Sequence, residues 1–303
     1  MSPAGTAKPI ERESGMSGMG VRSNGPTRLN LYFPEWQGYG EDARVLEGAR
    51  RIRERLEPEL DFTVIPVPDT EDLTVGNGIL GHAANLRQLT AARDLIAEAA
   101  PRSIFLVGGT CAGEIAPVSW LNHVRQGDLA VLWLDAHGDL NTPGSSPSGH
   151  FHGMPLRVLL GEGPDEIVAQ TFSRLRPEQV FLVGARDFDP AEERYIAEND
   201  LRVLPPADLT DPEKLSDLIR AGGYTGIYIH LDLDILEPAD FPHLLIPVPG
   251  GVPLAGLLEL LARLRAAFTV AGASIVEYVP RDATDPDALI AILGLLAAVG
   301  EGK

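Results

Sequence analysis

The chain has 303 residues, of which 43 are Asp or Glu and 25 are Lys or Arg, so its formal net charge is −18 at pH 7. This excess of negative charge argues against nucleic acid and against an anionic membrane surface as partners, and it suits a small cationic substrate. No apolar run in the sequence is long enough to span a bilayer, and the single cysteine, Cys111, excludes an internal disulfide.

Residues 1–27 are rich in Gly, Ser, Pro and Met and lack the apolar core of a signal peptide. We therefore expect a disordered leader or an expression remnant in this stretch, and a cytoplasmic protein. Residues 28–303 contain no internal repeat and no convincing linker, which predicts one folded domain. The sequence leaves open whether copies of this domain associate into a homo-oligomer.

Apolar runs of strand length alternate with stretches of helical periodicity along this domain. The predicted strands are Arg28–Phe33, Phe62–Val67, Ser103–Val107, Leu129–Leu134, Gln179–Gly184, Leu201–Leu204, Gly226–Leu231 and Ala273–Tyr278. The predicted helices are Asp42–Leu56, Ala83–Ala100, Glu114–Val124, Met154–Leu160, Asp189–Glu198, Glu213–Ala221, Val252–Phe268 and Pro286–Val299. This alternation predicts an α/β fold, a single three-layer domain with a mostly parallel sheet covered by helices on both faces.

Metal-binding side chains follow two of the predicted strands. Asp135, His137 and Asp139 come directly after one apolar run, and Asp232 and Asp234 come after another. Because side chains alternate along a strand, residues two apart can converge on one point if the extended form continues. One Asp-x-Asp alone is usually a turn or a helix cap, but two clusters at buried strand ends need counter-charges. The sequence therefore predicts a site for two divalent ions bridged by shared carboxylates.

Three segments resemble the signatures of the arginase and agmatinase ureohydrolases. Asp135-Ala-His-Gly-Asp139 resembles their Asp-Ala-His-x-Asp motif, and Val276-Glu-Tyr-Val-Pro280 resembles their Val-Glu-x-x-Pro segment. The run His230-Leu-Asp-Leu-Asp-Ile-Leu-Glu-Pro238 resembles their Ser-x-Asp-x-Asp-x-x-Asp-Pro signature. The resemblance implies an arginase-like fold, with residues 28–303 as a ureohydrolase catalytic domain.

The resemblance also implies a set of metal ligands, with Mn²⁺ as the expected ion. Asp135 and Asp232 would bridge two ions, His137 and Asp234 would complete the first, and Asp139 would bind the second.

Cys111 stands where the family has the remaining ligand of the second ion. The family segment is Gly-Gly-Asp-His-Ser, and the matching segment here is Gly108-Gly-Thr-Cys111-Ala112. A lone cysteine is more often an inert buried residue, but at this position we predict a thiolate ligand. Thiolate is soft and strongly donating, so it should weaken the preference for hard Mn²⁺ and lower the Lewis acidity of its ion. A substrate that is less basic than arginine, or easier to attack, would tolerate this change best.

The loop at 141–153 has the layout of the arginase loop that holds the amino-acid end of the substrate, and the segment 186–192 resembles the one that faces the α-amino group. The substrate-binding residues implied by this resemblance are Asn141, Ser148, His150, Asp189 and Glu192. Asn141 and Ser148 match positions that bind the α-carboxylate, and His150 replaces an asparagine. Asp189 is otherwise a plain helix cap. The agreement of the two segments favours an α-amino-acid substrate over a decarboxylated amine.

The predicted catalytic residues are Asp139, His152 and Glu277. By resemblance, Asp139 accepts a proton from the attacking water and passes it to the leaving amine, and His152 relays protons to solvent. Glu277 can pair with a guanidinium in two parallel hydrogen bonds. Taken alone, a loop histidine is more often a surface residue and a strand-end glutamate is more often exposed. Together these residues predict hydrolysis of a guanidino carbon–nitrogen bond.

Cys111 combined with amino-acid recognition resembles the Nω-hydroxy-L-arginine hydrolases of d-cycloserine biosynthesis, which release L-ornithine and hydroxyurea. An ordinary arginase, or a hydrolase of another ω-guanidino acid, is the alternative enzyme. An inactive pseudoenzyme that binds a guanidino ligand is the alternative from another class, and Cys111 is the feature that favours it.

Three stretches depart from the family pattern. Glu237 replaces an aspartate, and the bulky run 241–248 replaces a Thr-Gly-rich turn, which predicts a reshaped pocket wall. Residues 32–36, YFPEW, replace a Gly-rich opening.

Overall fold

The computed structural model describes residues 27–40, 42–68 and 73–297. Its strands are β1 Arg28–Phe33, β2 Thr63–Val64, β3 Ser103–Gly108, β4 Ala130–Leu134, β5 Val180–Val183, β6 Arg202–Leu204, β7 Gly226–Leu231 and β8 Thr269–Ile275. They form one eight-stranded sheet in the order β2-β1-β3-β8-β7-β4-β5-β6. Every neighbouring pair of strands is parallel. The predicted α/β class is confirmed.

Helices cover both faces of the sheet. They are α1 Arg44–Leu56, α2 His82–Ala99, α3 Ile115–Val124, α4 Pro155–Leu159, α5 Asp165–Val168, α6 Pro190–Glu198, α7 Pro212–Ala221, α8 Leu254–Ala267 and α9 Asp287–Leu296. The side chains of strand β4 contact the helices on both faces of the sheet. Val131 and Trp133 pack into the core formed with α2, α3 and α4. Leu132 and Leu134 point to the other core, formed with α1, α7, α8 and α9. Its residues alternate between two buried faces, as expected for a central parallel strand.

Most predicted elements shift by a residue or two at their ends, and two predicted strands differ by more. The last strand runs from Thr269 to Ile275 instead of 273–278, because Glu277 has a left-handed backbone (φ 61°) that stops the strand. The small residues around Gly272 gave no clear strand pattern, so the sequence did not predict that this strand begins at Thr269. The second strand keeps only Thr63 and Val64 of the predicted 62–67. Helix α5 has four residues, which is too short to give a periodic pattern.

Some predictions concern residues outside the described ranges. The expected disordered leader, 1–27, lies there except for residue 27, as do the last two residues of the helix predicted at 286–299. Across the three ranges that the structure describes, no helix combines the length and apolar character needed to cross a membrane.

The four central strands of the sheet, β3, β8, β7 and β4, carry the sequence motifs at their carboxyl ends. Parallel strands end at the same edge of a sheet, which is where ligands bind in such folds. The turn after β3 passes so close to the chain after β1 that a Cβ on Gly109 would lie 1.8 Å from the carbonyl oxygen of Glu35. Only glycine allows this approach, and it fixes the position of the next residues, including Cys111.

Candidate active site

A cavity of about 130 Å³ opens at the carboxyl ends of these central strands. It is lined by Cys111, His137, Asp139, Asn141, Ser146, Ser148, His150, His152, Gly153, Asp189, Glu192, Asp232, Asp234, Ile246 and Glu277. The cavity is therefore lined by twelve of the thirteen site residues that the sequence predicts, and the thirteenth, buried Asp135, lies beside Cys111, His137 and Asp139. The lining contains carboxylates but no lysine or arginine, so it suits a cationic ligand.

One group of metal-binding atoms lies at the end of β4. Asp135, His137 and Asp234 place their ligand atoms within 4.8 Å of one another. The Nδ1 atom of His137 lies 3.0 Å from Asp234 Oδ2 and 3.4 Å from Asp135 Oδ1. Two carboxylates and an imidazole form a donor set that suits Mn²⁺ and neighbouring first-row ions.

A second group lies beside Cys111 and shares Asp135 with the first. Its members are Cys111, Asp135, Asp139 and His230, and their ligand atoms also lie within 4.8 Å of one another. The Sγ atom of Cys111 lies 3.2 Å from Asp232 Oδ2, so Asp232 borders the same group. The two groups of potential ligands thus share the carboxylate of Asp135.

Backbone N–H groups orient the carboxylates of the cluster. The N–H of His137 donates to Asp135 Oδ1 at 2.6 Å, and the N–H of Ala136 donates to Asp234 Oδ1 at 2.9 Å. The N–H of Asp234 donates to Asp232 Oδ1 at 2.7 Å. In each case one carboxylate oxygen is held by the backbone, and the other is directed to the cluster.

The side chains after β4 converge, but not through a continued strand. The strand ends at Leu134, and Asp139 has a left-handed backbone with φ 53°. The extended form that this convergence was to depend on does not continue past Leu134, and a turn instead brings Asp139 back towards Asp135. Glu277 is also left-handed, with φ 61°. Such conformations are strained for residues other than glycine and persist where the surrounding structure fixes them.

Burial and like charge raise the pKa values of four groups in the cluster, Cys111, Asp139, Asp232 and Asp234. Burial, followed by the charge of Asp135, raises the pKa of Asp139 well above its ordinary value and the pKa of Asp234 to about 6. Burial and then the charge of Asp234 raise the pKa of Asp232. Burial, with Asp139 as the strongest neighbouring charge, also raises the pKa of the Cys111 thiol. Without cations Asp139, Asp232 and the Cys111 thiol favour their protonated forms, and bound divalent ions would allow them to ionise together.

Unpaired atoms in the cluster support binding of metal ions. Among the described residues, Asp139 Oδ2 and His230 Nε2 are buried side-chain atoms without a hydrogen bond. Buried polar atoms normally have a partner, and both of these belong to the group beside Cys111. The residues present therefore fit a pair of metal ions.

His152 and Glu277 lie together at the wall of the cavity. His152 Nδ1 is 3.2 Å from Glu277 Oε1, and the same oxygen accepts a hydrogen bond from the N–H of Cys111 at 3.2 Å. The backbone N–H of His152 donates to Gly38 O at 3.0 Å. The ring of Tyr39 packs edge-on against His152 with centroids 5.1 Å apart. His152 is thus oriented by residues that precede α1 and by Glu277.

The predicted substrate-binding residues form the rim of the cavity. Asn141 Nδ2 donates to Asp189 Oδ2 at 2.8 Å, which joins the loop to the first residue before α6. The hydroxyl of Ser148 accepts a hydrogen bond from the N–H of His150 at 3.2 Å. Glu192 is buried, and its two oxygens accept from the N–H groups of Leu140 at 2.8 Å and Asp189 at 2.9 Å.

Sequence reasoning did not single out His230 or Glu35 as site residues. His230 is fully buried in β7, and a histidine within an apolar strand was the available signal. Glu35 lies within the unusual YFPEW stretch, and its Oε1 accepts from the N–H of Thr110 at 2.9 Å, next to Cys111. Its Oε2 accepts from the N–H of Gly38 at 3.1 Å. No local sequence pattern predicts this contact, because Glu35 and Thr110 are 75 positions apart.

The chain is similar to arginases in sequence and in structure. The model of the arginase family matches residues 42–298. Arginase from Staphylococcus aureus is 33% identical over 181 residues, which is 58% of this chain and 60% of the relative, so the match spans about 60% of that protein's length. Arginase from Bacillus caldovelox is 29% identical over 277 residues, 86% of this chain and 89% of the relative. The crystal structure of Entamoeba histolytica arginase with L-ornithine has a TM-score of 0.79 at 21% identity, over 91% of this chain and 100% of that one.

Proposed function

We propose that this chain, which belongs to the arginase family, hydrolyses the guanidino carbon–nitrogen bond of an ω-guanidino amino acid with the help of two divalent metal ions. One observation carries the proposal. Two groups of metal-binding atoms share Asp135 at the floor of a cavity whose rim holds the pair Asn141 and Asp189.

The first step is the recognition of the substrate by opposite charge. Glu277 faces the cavity, and a guanidinium can form two parallel hydrogen bonds with its carboxylate. At the rim, Asp189 attracts an α-ammonium group, while Asn141 and Ser148 offer hydrogen-bond donors to an α-carboxylate. These contacts favour an amino acid over the corresponding amine.

The second step is the transfer of protons by residues of this chain. Bound metal ions would supply Lewis acidity that activates water and neutralises the charge of the tetrahedral intermediate. The carboxylate of Asp139, which lines the cavity, accepts the proton from the attacking water and delivers it to the leaving nitrogen. His152 lines the cavity beside Glu277 and exchanges protons between the site and solvent.

Cys111 supports Nω-hydroxy-L-arginine as the substrate, with L-ornithine and hydroxyurea as products. The thiol lies among the predicted ligands, 3.2 Å from Asp232 Oδ2. A thiolate lowers the Lewis acidity of its ion, and the hydroxylated guanidine is less basic and easier to attack than that of arginine. The ion held by His137 and Asp234, which has oxygen and imidazole donors, is proposed to be Mn²⁺.

A substrate panel tests this proposal. The protein is loaded with Mn²⁺ and incubated with Nω-hydroxy-L-arginine, L-arginine and agmatine, and ornithine, urea and hydroxyurea are measured by mass spectrometry. We expect hydroxyurea and ornithine to form fastest, and agmatine, which lacks the α-carboxylate, to be the poorest substrate. Equal or faster cleavage of L-arginine would make the protein an arginase. Cleavage of none of the three by a protein with bound metal would overturn the proposed activity and favour the pseudoenzyme.

A further inference from the structure

We propose that His230 is the imidazole ligand of the ion position beside Cys111, with Glu114 as the carboxylate that orients it. This inference rests on the two-ion centre of the proposed function. It assigns a ligand to a residue that stands where the family signature has serine.

The first support is the position of the ring nitrogen Nε2. His230 is fully buried, and Nε2 has no hydrogen bond to any described residue. It points to Asp135 Oδ2 at 3.6 Å, which is longer than a hydrogen bond. Its ligand atom lies within 4.8 Å of those of Cys111, Asp135 and Asp139. Ligands about 2.0–2.3 Å from one ion are separated by up to about 4.6 Å, so a small shift of the side chains would let this group share one first-row ion.

A second atom in the same group is also unpaired. Asp139 Oδ2 is buried and has no hydrogen bond within the described structure. Two unpaired buried atoms that belong to one group of ligands are accounted for by a single bound cation. If His230 were only a charge partner of Asp135, Asp139 Oδ2 would remain buried without a partner.

The third support is the other ring nitrogen. Nδ1 of His230 lies 3.2 Å from Glu114 Oε1, and Ser274 Oγ is farther from it at 3.5 Å. The second oxygen of Glu114 accepts a hydrogen bond from the hydroxyl of Tyr228 at 2.7 Å. A carboxylate at this distance favours the tautomer with its proton on Nδ1, which leaves the lone pair of Nε2 for a metal.

The ring is also held in its plane. Trp133 stacks on His230 with ring centroids 3.7 Å apart and an angle of 23° between the planes. Carboxylate, histidine and metal form a recurring arrangement in which the outer carboxylate fixes the ligand ring. Glu114, Tyr228 and Trp133 thus form a buried support that delivers Nε2 to the site.

The inference explains how the centre retains an imidazole beside Cys111. The family's histidine at the end of β3 is replaced by Cys111, and a histidine appears in the neighbouring part of the sheet, on β7. The two substitutions are therefore complementary. A chain with Cys111 and a small residue at 230 would hold its second ion with one ligand fewer.

Metal binding, measured without substrate, tests this role. Wild type, His230→Ser, Cys111→His and the double variant are stripped of metal, dialysed against Mn²⁺ and analysed for bound metal and for ¹⁴N couplings by pulsed EPR. We expect wild type to bind two ions, and His230→Ser to bind the second ion at least about tenfold more weakly, with loss of one imidazole coupling. The double variant exchanges both positions for the family residues and should regain the second ion.

Controls separate a ligand from a buried structural residue. Glu114→Gln keeps the shape of the support but loses the charge, and it should weaken the second ion by about tenfold while the ¹⁴N coupling persists. Circular dichroism and thermal unfolding check that each variant folds. If His230→Ser does not fold, wild type labelled with ¹⁵N-histidine is titrated with Zn²⁺, and NMR should show two imidazoles shifting, with the His137→Asn variant assigning the second one.

Two results would overturn the inference: two equally tight ions with unchanged ¹⁴N couplings in His230→Ser, or a single shifted imidazole in wild type. Neither result concerns turnover. A protein that cleaves guanidino substrates with one imidazole ligand would refute this inference alone, and a protein with two imidazole ligands and no hydrolysis would refute the proposed activity alone.

Discussion

The proposed metal-binding floor of the cavity, formed by the ligand groups around Asp135, and its proposed substrate-binding rim, formed by Asn141, Ser148, His150 and Asp189, are held by different means. The floor is built at the ends of buried strands, and backbone N–H groups fix one oxygen each of Asp135, Asp232 and Asp234. The rim is built from a loop and the beginning of α6, and it is joined by the side-chain hydrogen bond between Asn141 and Asp189. Loops tolerate change more readily than strand ends do. We therefore propose that the floor carries out the reaction and that the rim selects the substrate.

The largest effect is expected at the floor, from Asp232→Asn. Asp232 borders both Cys111 and Asp234, and a neutral amide cannot bridge two cations. We expect turnover to fall by at least about a hundredfold, with reduced metal content and an intact fold. The measurements are kcat, bound metal per chain and circular dichroism. Normal activity with normal metal stoichiometry would remove the two-ion model.

A weaker effect should arise from the segment that links the floor to the rim. Burial raises the pKa of Glu35 to about 7, and its carboxylate contacts both Thr110 and Gly38. Because the pKa is higher in the folded state, the stabilisation is complete below the ordinary value of 4.5 and is lost as pH rises through about 7. The glutamine in Glu35→Gln cannot titrate, so this variant does not lose that stabilisation as pH rises.

Unfolding by urea at several pH values measures the difference. Between pH 4.5 and 8, wild type should lose roughly 3 kcal/mol of unfolding free energy relative to Glu35→Gln, as an upper bound. The other titrating groups are common to both proteins and cancel in the difference. Parallel pH curves would mean that Glu35 is already ionised in the folded protein below pH 5.

The sequence predicted the residues of the floor better than the order of the strands that carry them. Asp135 and Asp232 follow strongly apolar runs, so their place at strand ends was readable from local pattern. The position of β8 and β7 between β3 and β4 could not be predicted from the sequence, because strand order depends on contacts between distant segments. The left-handed backbone of Asp139 was missed for a related reason, since only its surroundings fix it.

At the rim, Asp189→Ala should change substrate binding and leave the metal centre intact. The variant removes a charge that would pair with an α-ammonium group, a contact worth about 1.5–3 kcal/mol. We expect KM for the amino-acid substrate to rise by roughly 10- to 100-fold, with kcat changed much less. Agmatine, which lacks the α-carboxylate, is the matched comparison and should respond differently. Unchanged kinetics would leave Asp189 as a helix cap alone.

The smallest effect is expected from Cys111→His. This variant tests whether the choice of substrate depends on the rim alone or also on the floor. Cys111 belongs to the floor, yet its thiolate is proposed to decide which guanidine is cleaved. Cys111→His restores an all-nitrogen-and-oxygen set of donors and should move the ratio of kcat/KM values towards L-arginine by about tenfold, or about 1.4 kcal/mol. The effect should stay incomplete, because the wall that includes Ile246 is unchanged.

The measurement is kcat/KM for L-arginine and Nω-hydroxy-L-arginine in wild type and Cys111→His, each with its metal content determined. Cys111→Ala is the control for the loss of a ligand without replacement, and it should lose the second ion. Full activity and two ions in Cys111→Ala would mean that Cys111 binds no metal. A wild type that cleaves both substrates equally well would return the choice of substrate to the rim, because the floor would then no longer distinguish a hydroxylated guanidine from an ordinary one.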